Sequence, residues 1–83
     1  MVDNASESLT QREHEVLTHL VHGYSTKEVA RELGIAFKTA ATHRSAIMSK
    51  LGVHETASMV RKAILSGLVV LQRLGNGEPD TMA

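Results

Sequence analysis

Two consecutive stretches of this chain carry the same local signal. Thr10 and Glu13, and then Ser25 and Glu28, have the spacing of a capping box. In that motif the hydroxyl and the carboxylate each satisfy a backbone amide left orphaned at a helix start. Each stretch then runs to a glycine, Gly23 in the first and Gly34 in the second. Glycine is the usual residue for a left-handed helix stop. A start and a stop repeated at this separation leave room only for two short helices joined by tight bends. Within them the apolar residues recur at helical spacing: Val16, Leu17, Leu20 and Val21 in the first, Val29, Ala30 and Leu33 in the second. Leu9, just before the first cap, is placed to pack back as a hydrophobic staple.

A third helix is expected over about Phe37 to Leu51, with Ala40, Ile47 and Leu51 inward and Gly52 as its stop. Its cap position holds Ala36, a poor N-cap. A fourth is expected over about Thr56 to Ser66, with Val60 and Ile64 inward and Gly67 as its stop. The apolar run "LVVLQRL" (Leu68–Leu74) reads equally as an extended strap over the core or as a further turn of helix. The fold class is therefore all-α: a four-helix domain over residues 9–71, with a flexible arm at 1–8 and a flexible tail at 72–83. An 83-residue chain holds one small domain.

The bend at Gly34 sharpens this expectation. Helix, short glycine turn and helix is the geometry of a helix-turn-helix. Ala30 is small where the two helices approach, Gly34 suits a positive φ, and Ile35 is placed to plug the core. In such a unit the second helix projects its outer face into a DNA major groove. A small structural bundle is the bland alternative.

Composition excludes several other classes. With no cysteine there is neither a disulfide framework nor a thiolate metal site. Neither an apolar run of ~18 residues nor a signal-peptide pattern is present, so a soluble, cytoplasmic protein is expected. His19 and His22 are three apart but lack a convergent carboxylate, and Thr18 stands where an H-E-x-x-H motif starting at His14 would need its second histidine. Neither a metal nor a cofactor is expected. The chain also lacks a catalytic triad or a phosphate loop, so an enzyme is not expected.

Formal net charge is zero, which at first argues against nucleic acid. DNA meets only one face, however, so distribution matters more than the sum. From Leu33 to His54 there is no Asp or Glu, while Lys38, Arg44 and Lys50 all fall there. With Ala40, Ile47 and Leu51 inward, the outward positions of the third helix are Lys38, Ala41, Thr42, Ser45 and Ser49. Ala41, Thr42 and Ser45 are the expected base-facing set, weak readers built from methyls and hydroxyls. Phosphate contacts are expected from Lys38, Thr39, Arg44 and Lys50, and from Thr26 and Lys27 at the start of the second helix. His43 borders the buried face, placed both to fix packing and to reach a phosphate. On the fourth helix Met59, Ala63 and Ser66 share a face away from Val60 and Ile64, an expected surface for a weak dimer.

The stretches "LTQREHEVL", "GYSTKEVARELGI", "KTAATHRSAIMSKLGV" and "SGLV" together resemble the LuxR/FixJ-type DNA-binding domain from Leu9 to Val69. The DNA-binding region of sigma factors shares the first three elements but normally lacks the fourth helix and the "KLGV" connection. The resemblance implies a helix-turn-helix regulator that binds double-stranded DNA and dimerises through the fourth helix. It also implies phosphate roles for Lys38, Thr39 and Lys50, and a near-invariant histidine at His43. The chain departs from the pattern at Ala36 (usually Ser or Asp), Phe37 (often Glu), Ala40 (usually Val) and Ala41 (often Lys). An interaction module on the same fold, contacting RNA polymerase or another regulator, is the alternative function. A stand-alone member and an isolated domain both fit the length.

Overall fold

A computed structural model describes residues 9–70. The arm expected at 1–8, the tail expected at 72–83 and the end of the run Leu68–Leu74 lie outside the described residues. Four helices follow in order: α1 Gln11–Val21, α2 Thr26–Leu33, α3 Phe37–Leu51 and α4 Thr56–Leu65. Among the described residues there is no strand, and none of the helices is long and apolar enough to cross a membrane.

Both capping boxes form. The Glu13 amide donates to Thr10 Oγ1 at 3.0 Å, and the Thr10 amide donates to Glu13 Oε1 at 3.0 Å. At α2 the Glu28 amide donates to Ser25 Oγ at 3.1 Å and the Ser25 amide to Glu28 Oε1 at 2.8 Å. α3 starts at Ala36 without a side-chain cap, as its sequence predicts. Gly34 takes φ +67°, which lets the Ile35 amide reach back to the Ala30 carbonyl at 3.0 Å and closes α2. Gly52 does the same for α3, with the Val53 amide on the Met48 carbonyl at 3.0 Å.

α3 lies across both α1 and α2, and α4 closes the bundle against α1. The core joins Val16, Leu17, Leu20 and Val21 of α1 to Val29 of α2, Ile47 and Leu51 of α3, and Met59 and Ala63 of α4. Leu9 and Leu33 pack against its edge, while Ile35 is half-buried beside the bend.

The inward face of α4 is not the expected one. Met59 and Ala63 are fully buried, so they are core residues and not part of a dimer surface. Val60 is half-buried and Ile64 is 39% exposed. Two contacts accompany this rotation. Lys62 Nζ donates to the Leu51 carbonyl at 2.8 Å, satisfying an orphan acceptor at the end of α3. Past Gly67 the chain doubles back, and the Leu68 amide donates to the Ala63 carbonyl at 3.0 Å. Leu68 and Val69 are buried, so this start of the apolar run is a strap rather than more helix. His14 holds it: Nε2 lies 2.7 Å from the Leu68 carbonyl, and a carbonyl only accepts, so Nε2 carries the proton. Met59→Ala should therefore lower unfolding stability by about 2–5 kcal/mol in urea titrations. Ile64→Ser should cost less than ~1 kcal/mol in the same assay.

Candidate nucleic-acid interface

α3 is the helix on which the sequence places most of the chemistry. Ala40, Ile47 and Leu51 bury its inner face completely. That burial fixes the rotation of the helix, so its outer face is decided by default. Lys38, Thr42, Ser45 and Ser49 are all exposed along that face, and Ala41 is half-buried at its edge. Thr42 Oγ1 donates to the Lys38 carbonyl at 3.0 Å. Its hydroxyl proton is thus used within the helix, and Thr42 presents outward a methyl and an acceptor oxygen. The three expected base-facing residues therefore form one patch, more apolar than their names suggest.

The expected phosphate set divides. Lys27, Lys38 and Thr39 are exposed, and Thr26 is half-buried at the first turn of α2. Three others are drawn into seams between helices. Arg44 donates to Thr56 Oγ1 and ties the middle of α3 to the start of α4. Lys50 Nζ lies 2.6 Å from Glu13 Oε1, tying the end of α3 to the start of α1. His43 is half-buried, seven residues before Lys50, and its charge acts on the same carboxylate. Spacing along one helix could not reveal these links, because each partner lies on another element. The charge pattern of "LTQRE" did hold one clue. Glu13 is an acid at a position flanked by the inward residues Val16 and Leu17.

Glu13 is 6% exposed. Desolvation there pushes its carboxyl up. The Lys50 ammonium, the Thr10 amide and the charge of His43 together outweigh that and hold it below the ordinary value of 4.5. Glu28 is lowered too, by its bonds to Ser25.

The histidines of α1 are turned onto their own helix. Nδ1 of His19 lies 2.8 Å from the Glu15 carbonyl, and Nδ1 of His22 lies 2.8 Å from the Thr18 carbonyl. The His19 ring also meets Tyr24 edge to face, with centroids 5.0 Å apart. Sequence reasoning passed over one exposed residue on α3. Phe37, its first residue, is 58% exposed. The signal was available: it is the sole phenylalanine in the chain, at a position where an acid is common in the resembling family.

A family model for GerE-type bacterial regulatory proteins of the luxR family matches residues 7–63. This chain belongs to the LuxR family. Its relatives include the transcriptional regulatory protein MctR of Rhizobium johnstonii, 44% identical over 68 residues, covering 82% of this chain and 32% of MctR. The solved structure of the transcription factor GerE superposes with a TM-score of 0.71 at 36% identity, covering 77% of this chain and 96% of GerE. The Vibrio cholerae VqmA dimer, a LuxR-type receptor studied without its target DNA, gives a TM-score of 0.72 at 32% identity. That match covers 76% of this chain and 29% of VqmA. The LuxR-family chain thus spans about a third of the length of MctR, and its described residues are the helix-turn-helix domain of the family.

The Glu13 shift fixes the sign of a pH dependence. A carboxyl whose pKa is lower folded than unfolded adds stability above the ordinary value and loses it as pH falls through the folded value. Thermal midpoints taken from pH ~7 down to ~3 should therefore fall more steeply for wild type than for Glu13→Gln, with the difference appearing below about 4.5.

Proposed function

We propose that this domain binds double-stranded DNA by placing α3 in the major groove, and that it serves as the DNA-binding part of a transcriptional regulator. One observation carries the reading. The outer face of α3 is exposed from Lys38 to Ser49, and it lies in a stretch from Leu33 to His54 that holds no acid. The net charge of zero is no obstacle, because the acids lie elsewhere in the chain.

Roles follow from exposure and partners. Lys38 and Thr39 at the start of α3 contact phosphate, with Thr26 and Lys27 of α2 adding amides and a charge. Ala41, Thr42 and Ser45 face bases. Arg44, Lys50 and His43 act first as struts that orient α3, and reach phosphate only from the seams. The protein works where chromosomal DNA is, in the cytoplasm.

A weak symmetric dimer would let this light reading cover two half-sites. The surface supporting it is the exposed end of α4. Leu65 is 73% exposed, Ile64 39%, and Val70 just beyond is 71% exposed, with Ser66 among them. The family resemblance points to the same helix.

Titration against duplex DNA at several salt concentrations tests the reading. Affinity should fall steeply with salt, and Lys38→Ala should weaken all sequences alike and flatten the log–log slope by about one. Binding indifferent to salt would point instead to a protein-interaction module. Thr42→Ala should change the sequence selected from random DNA more than it changes non-specific affinity, and an identical consensus would remove Thr42 from the base-facing set.

A further inference from the structure

Phe37 stands out at the edge of the exposed face of α3, between the buried stripe and Ala41. It is the first residue of α3, and 58% of it is exposed. An exposed aromatic ring is a large apolar surface that gains free energy when a partner covers it. On the helix it lies one turn before Ala41, on the same side at i, i+4. Side chains on a helix lean toward its N-terminus, so the ring prolongs the Ala41 edge of the patch beyond the end of the helix.

The surroundings indicate what would cover it. Lys38 and Thr39 follow directly and are exposed, and the sequence from Leu33 to His54 holds no acid. An apolar ring set among phosphate-seeking groups suits the floor of a DNA groove. The first residues of a groove-bound helix are the ones that meet base edges. A phenyl ring can neither donate nor accept a conventional hydrogen bond. Among the base-edge features of the major groove, the apolar one is the C5 methyl of thymine.

We propose that Phe37 is a specificity-determining residue that packs on a thymine methyl, so that Phe37, Ala41 and Thr42 make α3 a reader of methyls rather than of hydrogen-bonding edges. The proposal rests on α3 entering the major groove.

The test uses the full chain and the duplex it selects from random DNA. Each thymine of that duplex is replaced in turn by deoxyuridine, which removes the methyl and leaves the pairing intact. Affinities are measured for wild type, Phe37→Ala and Phe37→Leu. At one thymine of each half-site, uracil should weaken wild type by ~3- to 5-fold, the scale of one buried methyl. Phe37→Ala should be indifferent to that replacement, and Phe37→Leu should keep part of the penalty. The proposal is overturned if Phe37→Ala shows the same uracil penalties as wild type at every position, or if no thymine methyl matters. Thr42→Ala, selected in parallel, separates the two layers. If it shifts the consensus while Phe37→Ala keeps the wild-type uracil penalties, α3 enters the groove and only the Phe37 assignment falls. If neither variant changes the selected sequence, both fall.

Discussion

The fold depends on one buried carboxylate. Glu13 Oε1 accepts the Thr10 amide, which starts α1, and holds the Lys50 ammonium, which lies in the last turn of α3. A single oxygen therefore joins the first helix start to the far end of the helix that faces outward. At 6% exposure the carboxylate cannot lose a partner cheaply, because a buried charge stripped of its counterion is strongly destabilising. Lys50 thereby becomes a strut. Arg44 on Thr56 does similar work at the other seam of α3. Arg44 and Lys50 thus help to orient the helix, and Lys38 and Lys27 are among the exposed cations beside it.

Under the proposed DNA-binding role, that division suits a helix that reads sequence lightly. Its outer face offers methyls from Ala41 and Thr42, hydroxyl oxygens from Thr42 and Ser45, and the ring of Phe37. The Thr42 proton is already committed to the Lys38 carbonyl. A side chain placed for bidentate bonding to a base is missing from that face, where each such pair would supply about 1–3 kcal/mol of discrimination. Rigid placement of α3 and repetition over two half-sites would have to supply specificity instead.

Much of this is legible in the sequence alone. The capping boxes at Thr10 and Ser25, the stops at Gly34 and Gly52, and the inward residues of α1 to α3 all follow from spacing along one helix. The outer face of α3 follows from them, because burying Ala40, Ile47 and Leu51 leaves few rotations open. Phe37 was harder to read. Its position lies toward the flank of the buried stripe, and only its place in the first turn leaves it outside the core.

By itself, then, the sequence determined where the helices begin and end, which bend makes the helix-turn-helix, and which residues α3 turns outward. Those are short-range matters of caps, glycines and periodicity. Tertiary structure alone decided the face of α4. Met59 with Ala63 and Val60 with Ile64 are both apolar pairs four apart, so local pattern cannot choose between them. The choice goes with Lys62 reaching the Leu51 carbonyl and with the strap, which His14 of α1 holds at the Leu68 carbonyl. It also decided which cations are struts. A lysine or arginine side chain spans several ångströms, and its partner, Glu13 or Thr56, is fixed only once separate helices have packed together.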